Sequence, residues 1–194
     1  MKNIAVFASG SGSDMQSVID GTLSGLIDGK VVTVVTNKEG IFAIERAKKH
    51  GIDCKTFKAK DYVDNETRDR AIVEYLKGYD VDFIFLEGYL AIVTPVLVDE
   101  YEGRIINIHP SLIPKHCGKG MYGLNVHKSV IASGDKVSGC TVHYVDYGAD
   151  TGEIIAQEQV EVKEGDTPET LQARILEVEH KLLPSVVAKL CRAK

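Results

Sequence analysis

The first 36 residues place the strongest constraint on the fold. A short apolar run, Asn3 to Ala8, is followed by Gly10-Ser11-Gly12-Ser13 and then by Met15 to Leu26, where apolar residues recur at helical spacing. A second apolar run, Val31 to Thr36, completes a strand–turn–helix–strand unit. Such a unit favours parallel strands joined by a right-handed crossover.

The alternation of helices and strands continues along the chain. It predicts three further helices: Phe42 to His50, Asn65 to Tyr79 and Pro95 to Tyr101. It also predicts three further strands: Lys55 to Phe57, Phe83 to Leu86 and Arg104 to Ile108. Helices and strands that alternate in this way are typical of an α/β domain with a parallel sheet.

The pattern changes after Pro110. A loop over Ser111 to Gly123 leads to a helix over Leu124 to Ser133. Two alternating segments, Ser138 to Val145 and Gly152 to Val162, predict a pair of antiparallel strands. A last helix opens at Thr167-Pro168 and is expected to run to about Lys189, with a disturbance at Pro184. The chain is therefore predicted to be one α/β domain: a mostly parallel twisted sheet flanked by helices, with antiparallel strands toward the C-terminus.

Composition excludes several classes of function. The net charge of −5 argues against a nucleic-acid binder that relies on bulk positive charge. The run Ile4 to Ala8 is too short for a signal peptide or a membrane span. The four cysteines form no Cys-x-x-Cys pair and no zinc-ligand spacing with the histidines. We expect a cytoplasmic protein with reduced thiols and no bound metal.

The stretch Gly10 to Asp14 is the first candidate site. Small residues between a strand and a helix let backbone N–H groups approach an anion, and phosphate is the natural ligand there. The pattern lacks the third glycine of a dinucleotide fingerprint. A tight turn with Ser13 as the helix N-cap is the alternative, and the carboxylate of Asp14 repels a phosphate unless it points away.

The second candidate site is Asn107-Ile108-His109, at the carboxyl end of a predicted strand. Residues two apart on a strand share a face, so Asn107 and His109 are expected to point the same way. An amide beside an imidazole provides two donors to a developing oxyanion. The alternative is a buried pair satisfied by loop carbonyls. His50 and His127 are expected on helix surfaces, and His143 is either a core residue or a neighbour of the site.

The third candidate is the loop Asp146 to Gly152 between the two antiparallel strands. Its acids and glycines suggest a metal loop or an Asx turn, but the spacing does not match an EF-hand. A carboxylate here would orient an imidazole and raise its pKa. The residues themselves leave open whether Asp146 or Asp150 does so.

Taken together, these motifs resemble a known family. Gly10-Ser11-Gly12-Ser13, the run Ile106 to Pro114, the run Val142 to Gly152, and Glu179-His180 with the later Pro184 are similar, in order and spacing, to the glycinamide ribonucleotide formyltransferases. These are folate-dependent enzymes of purine synthesis. The resemblance covers essentially the whole chain, and its Asn-x-His-Pro-Ser-Leu-x-Pro segment is the specific part.

The resemblance implies a Rossmann-like sheet and transfer of a formyl group from 10-formyltetrahydrofolate to the amine of glycinamide ribonucleotide. Asn107 matches the asparagine that polarises the formyl oxygen, His109 the catalytic histidine, and Asp150 the aspartate that organises it. The remaining matches are Gly12, Ser13 and Asp14 for the substrate phosphate, Glu179 for the ribose, Leu90, Ala91, Ile92 and Val93 with Asn107 for the folate pocket, and Pro114 for a cis proline. No metal is implied, and residues 1–100 and 101–194 would form a phosphate-binding half and a catalytic, folate-binding half.

Three residues depart from the pattern of the family: Asp14 stands for a common Asn, Ala91 for a common Arg, and Asn65 for a basic residue that relatives can carry. The loop Lys115 to Tyr122 is also unlike many relatives, and its lysines are candidates to contact the substrate phosphate or folate glutamates. These departures concern affinity rather than reaction class.

Other functions are weighed against this one. A formyltetrahydrofolate deformylase usually carries an N-terminal regulatory domain, and a methionyl-tRNA formyltransferase carries a further C-terminal domain, whereas this chain has 194 residues. A nucleotide-binding module without catalysis stays open, and the incomplete glycine fingerprint disfavours a nicotinamide enzyme. The expected partners are small-molecule substrates, without nucleic acid or membrane, and a homodimer stays open.

Overall fold

The computed structural model describes residues 1–193 and contains a seven-stranded sheet with helices packed on both faces. The strands are β1 (Lys2–Ala8), β2 (Gly29–Thr36), β3 (Asp53–Thr56), β4 (Phe83–Glu87), β5 (Ile105–His109), β6 (Val137–Tyr144) and β7 (Ile154–Glu161). The helices are α1 (Ser13–Leu23), α2 (Phe42–Lys49), α3 (Asn65–Lys77), α4 (Pro95–Glu100), α5 (Leu124–Ser133) and α6 (Pro168–Arg192), with a 3₁₀ turn over Ala59–Asp61.

The strand order is β3-β2-β1-β4-β5-β6-β7. The first five strands run parallel, whereas β6 pairs antiparallel with β5 and β7 pairs antiparallel with β6. This confirms the mixed sheet predicted from the sequence. The chain builds outward from β1 to β3 and then returns to β4, so Ala8 at the end of β1 lies opposite Glu87 at the end of β4. Ligands bind at such a reversal point in open α/β sheets.

Each face of the sheet has its own apolar core. Ile4 and Val6 pack on one side with Met15 of α1 and Val187 of α6. Phe7 packs on the other side, with residues of α3 and α4. Successive residues of a strand point to opposite faces, so a strand covered on both sides must be apolar throughout. This explains the continuous apolar run at the start of the chain.

Helix α6 begins as predicted and extends further. The Thr167 side chain accepts a hydrogen bond from the backbone N–H of Thr170, and Pro168 occupies the first turn. The helix runs without a break through the buried Pro184 and ends at Arg192, beyond the expected end at about Lys189. Its apolar face packs on α1 and on the sheet, and this packing outweighs the local cost of a proline.

The start of α1 differs from the prediction. Gly12 is the N-cap, in the left-handed conformation with φ of 74°, and Ser13 is the first helical residue, so the alternative of a Ser13 cap is wrong. A Cβ on Gly12 would lie 2.9 Å from the Cα of Ala43, so the turn packs directly on α2. The helix ends at Leu23 rather than Leu26 because Gly25 adopts a φ of 78° and turns the chain.

Other element ends are displaced by one to three residues. β3 begins at Asp53, earlier than the expected Lys55, because it pairs in register with the second half of β2. Phe57 then leaves the strand and packs in the core against Tyr62 and Tyr75. Strand β7 is shorter at both ends than the predicted segment of residues 152–162.

Candidate active site

A cavity of about 910 Å³ opens along the carboxyl ends of β1, β4 and β5. It brings most of the predicted site residues together: Ser13, Asp14, Leu90, Ala91, Ile92, Asn107, His109, Asp150 and Glu179. A smaller cavity of about 310 Å³ shares Asn107 and Asp150 with it and includes Val93. Gly12 packs against Ala43 instead of lining either cavity.

The turn between β1 and α1 forms one end of the larger cavity, called here the acidic end for the carboxylates described below. The carbonyl of Gly10 accepts from the N–H of Ala43 at 3.2 Å, and the carbonyl of Ser11 accepts from Arg46 Nε at 2.9 Å. Ser9 Oγ donates to Asn37 and accepts from the N–H of Leu90 at 2.9 Å. These bonds hold the turn against α2 and against the segment after β4.

Glu87 lies directly beside the first turn of α1. Its Oε1 accepts from the N–H of Asp14 and its Oε2 accepts from the N–H of Met15, both at 3.4 Å. A helix N-terminus stabilises negative charge, so the carboxylate occupies a position suited to an anion. Sequence reasoning missed this residue. The available signal was an acid at the end of the otherwise apolar strand FIFLE.

Three buried carboxyl groups meet at the acidic end. Burial raises the pKa of Asp14 to about 7. Burial, together with the charge of Asp14, raises the pKa of Glu87 to about 8. The pKa of Glu179 is also raised well above its ordinary value, by burial and then by the charges of the other two. The carboxyl groups at this end of the cavity are therefore not fully ionised near neutral pH.

His180 faces the same carboxylates from α6. Its Nε2 lies 3.7 Å from Asp14 Oδ1, and neither atom has a hydrogen-bond partner within residues 1–193. Burial, with a smaller contribution from Arg46, lowers the pKa of His180. The side chain of Asp14 thus points toward α6 and is 7% exposed.

The opposite end of the cavity, called here the imidazole end, contains Asn107, His109, His143 and Asp150. Asn107 and His109 share a face of β5, as predicted. Asn107 Nδ2 lies 3.1 Å from His143 Nε2 and 3.5 Å from Asp150 Oδ1. His143 Nδ1 donates to the carbonyl of Tyr144 at 2.7 Å, which leaves its Nε2 as the acceptor for Asn107. His143 is therefore a neighbour of the site.

The structure decides between the two loop acids. Asp150 Oδ2 lies 3.6 Å from His109 Nδ1, while Asp146 accepts from the N–H of Gly148 and from Thr151 Oγ1 within its own loop. His109 Nε2 lies 2.9 Å from the carbonyl of His116. Both ring nitrogens of His109 therefore face protein acceptors.

The carboxyl pKa at this end moves in the opposite direction from the carboxyl pKa values at the acidic end. Burial works to raise the pKa of Asp150, but His143, the N–H of Gly118 and the charge of His109 outweigh it and lower the pKa. Burial lowers the pKa of His109, against the raising effects of the His116 carbonyl and Asp150. Asp150 is thus ionised at neutral pH beside an imidazole with acceptors at both nitrogens.

The position of His127 contradicts the prediction made from the sequence. It was expected on a helix surface, but it is 1% exposed and lines the larger cavity. Burial, and then the charge of His109, lowers its pKa to about 4. His127 lies on the inward face of α5, between the buried Val126 and the exposed Lys128.

The loop after β5 closes one side of the larger cavity. The Ile113–Pro114 peptide bond is cis, as the resemblance implied. Lys119 lines the cavity, whereas Lys115 Nζ pairs with Asp135 at 3.1 Å. Of the two lysines, only Lys119 is therefore placed near a ligand.

A buried ion pair holds the segment Leu90 to Val93. Arg68 and Asp69, each 1% exposed, lie in the N-terminal half of α3. Arg68 donates to the carbonyl of Ile92, and Asp69 Oδ2 accepts from the N–H of Thr94 at 2.7 Å. Asn65, one of the departures from the family pattern, accepts from Arg68 Nη1 at 3.2 Å. The side chains of Leu90 and Ile92 remain exposed at the mouth of the cavity.

Within residues 1–193, no group of three or more His, Cys, Asp or Glu side chains is placed to hold a metal ion. Over the same residues, the helices include none with the length and apolar character needed to cross a membrane.

Comparison with known proteins assigns the family. The formyl transferase model matches residues 2–187, and the chain belongs to the formyl transferase family. The crystal structure of a phosphoribosylglycinamide formyltransferase from Bacillus halodurans superposes with a TM-score of 0.93 at 41% identity, covering 98% of this chain and 96% of that one. Glycinamide ribonucleotide transformylase 1 from Geobacillus kaustophilus gives a TM-score of 0.92 at 40% identity, covering 98% and 99% of the two chains.

A curated relative carries the same enzyme name as the Bacillus halodurans protein. The chloroplastic phosphoribosylglycinamide formyltransferase of Arabidopsis thaliana is 43% identical over 194 residues, which is 100% of this chain. The chain spans 66% of the length of that relative and 62% of the Vigna unguiculata enzyme of the same name.

Proposed function

We propose that the chain transfers the formyl group of 10-formyltetrahydrofolate to the amine of glycinamide ribonucleotide, a step of purine synthesis. One observation carries the proposal: Asn107, His109 and Asp150 converge on a single cavity whose other end is the glycine-rich turn. The names of relatives that align over the whole chain support the same reaction.

The ribonucleotide fits the larger cavity with its phosphate at the acidic end. The turn of Gly12, Ser13 and Asp14 begins a helix whose N-terminus favours an anion. Glu179 lies beside this turn and, as a hydrogen-bond acceptor, suits the ribose hydroxyls. The amine then extends toward Asn107, because the cavity continues from the turn to the end of β5.

The folate fits the side of the cavity formed by Leu90, Ala91, Ile92 and Val93. The exposed side chains of Leu90 and Ile92 offer apolar contacts to a flat ring. The buried Arg68–Asp69 pair fixes the backbone of this segment, so a pocket built from backbone groups does not need the arginine that relatives carry at Ala91. The smaller cavity extends this region toward Asn107 and His143.

In this proposal, Asn107 and His109 stabilise the charge that develops on the formyl oxygen. The amine attacks the formyl carbon, a C–N bond forms, and the carbonyl oxygen becomes an alkoxide. Asn107 Nδ2 donates one hydrogen toward His143 at 3.1 Å and the other toward Asp150 at 3.5 Å, and the alkoxide takes over the second, longer bond. His109 supplies the other donor from Nδ1, since its Nε2 is bonded to the His116 carbonyl and Asp150 Oδ2, at 3.6 Å from Nδ1, lies beyond hydrogen-bond distance. Each donor is worth about 3 kcal/mol of transition-state stabilisation.

Asp150 holds the imidazole in the donor form. Its carboxylate lies 3.6 Å from His109 Nδ1 and opposes the lowering of the His109 pKa by burial. When the intermediate collapses, the bond from carbon to the folate nitrogen breaks and that nitrogen takes up a proton. The proton lost by the attacking amine balances it, and His109 Nδ1 is the group placed to carry a proton between them.

Predictions about the acceptor, the two halves of the chain and its location stay predictions. We propose that the acceptor is the ribonucleotide rather than water, which distinguishes this activity from a formyltetrahydrofolate deformylase. Two further points also stay predictions: the assignment of residues 1–100 to phosphate binding and 101–194 to catalysis, and a cytoplasmic location. A homodimer stays open. Glu179 belongs to the second half but lines the acidic end, so we expect both halves to contribute to ribonucleotide binding.

The test is release of the deformylated folate, followed by absorbance, with and without glycinamide ribonucleotide. We expect release only when the ribonucleotide is present, together with one equivalent of formylated product. Release at the same rate without it would assign water as the acceptor and overturn the proposal. His50→Ala, a change at the C-cap of α2, serves as the control variant and should keep the wild-type rate.

A further inference from the structure

The partner of His109 Nε2 is a backbone carbonyl, that of His116, at 2.9 Å. A carbonyl oxygen accepts and does not donate, so the hydrogen of this bond belongs to Nε2 of His109. Ser111 Oγ lies 3.2 Å from the same carbonyl, but its single hydrogen is directed to the carbonyl of Lys115 at 2.7 Å. The carbonyl of His116 therefore determines which nitrogen of His109 always carries a proton, and leaves Nδ1 as the position that exchanges it.

The backbone at His116 is in an unusual conformation. Its φ is 51°, in the left-handed region that residues with a side chain rarely adopt. This conformation costs free energy, so it persists only where the surroundings hold it. The conformation turns the carbonyl of His116 back toward β5, where His109 ends the strand.

The side chain of His116 supplies the restraint. Nδ1 lies 2.8 Å from Ser129 Oγ on α5, and Nε2 lies 3.0 Å from Asp135 Oδ2 just after that helix. Lys115 Nζ pairs with the same carboxylate at 3.1 Å. The ring of His116 is thus fixed at both nitrogens to the end of α5, with its side chain only 13% exposed.

The same turn also contacts the second partner of His109. Two residues after His116, the N–H of Gly118 donates to Asp150 Oδ2 at 2.9 Å. This is the carboxylate oxygen that faces His109 Nδ1. A shift of the turn would therefore move both acceptors of the imidazole, one directly and the other through the Gly118 hydrogen bond.

We propose that His116 is a positioning residue for the formyl transfer. Its side chain, anchored to Ser129 and Asp135, holds the left-handed turn whose carbonyl fixes the proton of His109 on Nε2 and whose Gly118 N–H fixes Asp150. The role of His109 in this proposal rests on the proposed function, but the effect of His116 on the tautomer of His109 does not.

The order Ser129–His116–Asp135 resembles a hydrolytic triad, and the surroundings argue against that reading. None of these three side chains lines either of the two cavities. Lys115 shares the carboxylate of Asp135 and competes with His116 for it. A nucleophile needs access to a substrate, so the cluster serves as an anchor.

The test combines ¹⁵N NMR of His109 with steady-state kinetics, using the full chain and three variants. His116→Ala removes the anchor and disfavours the turn, whereas His116→Gly removes the anchor but adopts a positive φ without strain. Lys128→Ala, on the exposed face of α5 next to Ser129, is the matched control. Assignment of the His109 signals comes from the His109→Asn spectrum.

We expect wild-type His109 to show a protonated Nε2, and His116→Ala to show a mixture of the two tautomers. The kcat of His116→Ala should fall by about 10- to 100-fold, with the KM of both substrates nearly unchanged, because a displaced catalytic group affects the transition state more than binding. The kcat of His116→Gly should lie between those of His116→Ala and wild type. Lys128→Ala should match wild type in both kcat and the His109 spectrum.

Two results would overturn the proposal. One is a folded His116→Ala variant that keeps the Nε2–H signal and a kcat within about twofold of wild type. The other is a loss of kcat with an unchanged His109 spectrum, which would assign His116 a purely structural role. If His116→Ala does not fold, Asp135→Ala removes one anchor and is measured in the same way. Absence of turnover in wild type would contradict the proposed function alone, since the tautomer is still read by NMR.

Discussion

The two ends of the cavity use the same kind of side chain in opposite electrostatic states. At the acidic end, Asp14, Glu87 and Glu179 face one another under burial, and the pKa of each is raised. At the imidazole end, Asp150 is half-buried among two histidines and a backbone N–H, and its pKa is lowered. The difference shows that the surroundings of a carboxyl group decide whether it carries charge at neutral pH: burial beside other carboxyl groups raises the pKa, and histidines with a backbone N–H lower it.

This difference suits the proposed reaction. A phosphate tolerates carboxyl groups beside it only when they are protonated, whereas an imidazole that must donate needs an ionised carboxylate. The net charge of −5 then ceases to be an obstacle to binding two anionic substrates, because the acids nearest the phosphate are not fully ionised.

The largest effect is expected at the imidazole end. Asn107→Ala and His109→Ala should each lower kcat by about 100- to 1,000-fold, since each removes one donor from the developing oxyanion. The thermal unfolding midpoint of each variant, measured beside the rate, checks that the fold is kept. A rate close to that of wild type in either variant would remove that residue from the proposed mechanism.

A smaller loss is expected for Asp150→Asn, on the order of 10- to 100-fold in kcat. The pH profile provides the sharper readout. Asp150 opposes the lowering of the His109 pKa by burial, so without it that pKa falls further. The imidazolium is present below this pKa and lost above it, and the basic limb of the kcat profile should therefore move to lower pH. Asp146→Asn, in the same loop, is the control. If the basic limb of the kcat profile does not move in Asp150→Asn, then Asp150 does not act on the pKa of His109.

The sequence predicted the imidazole end more fully than the acidic end. The shared face of Asn107 and His109 follows from strand periodicity alone, and the mixed sheet follows from the order of elements. The choice of Asp150 over Asp146 depended on how a loop folds back over β5, which no local pattern encodes. The resemblance indicated Asp150, and the structure now places it beside His109.

The residues that were missed are those that meet only through tertiary contacts. Glu87 ends β4, whereas the N–H groups it contacts lie about seventy residues earlier. Burial of His127 depends on which face of α5 packs on the site, and the residues next to it in sequence do not determine which face is buried. His116 combines a positive φ with partners on α5, a conformation that its local sequence did not predict.

At the acidic end, Glu87→Gln should change the pH dependence of phosphate binding. The pKa of Glu87 is raised to about 8, so the group is mostly uncharged at pH 7 and mostly charged at pH 9, where it repels a phosphate dianion. Wild-type affinity for ribose 5-phosphate, measured by calorimetry, should weaken by about fivefold or more over this range. Glu87→Gln should weaken less, whereas the exposed Glu74→Gln should behave as wild type. Equal weakening in Glu87→Gln and wild type would place the phosphate elsewhere.

The smallest effect concerns stability without any substrate. A carboxyl group whose pKa is raised in the folded state stabilises the fold below its unfolded pKa, and this stabilisation is lost as the pH rises through the folded value. For Asp14 and Glu87 the folded values are about 7 and about 8. The free energy of unfolding should therefore fall by about 1 kcal/mol or more between pH 6 and pH 9. Asp14→Asn with Glu87→Gln should flatten this slope while Asp150→Asn does not, because the pKa of Asp150 is lowered and its titration lies at acidic pH. A slope unchanged by the double substitution would mean that the two ends of the cavity do not differ in charge at neutral pH.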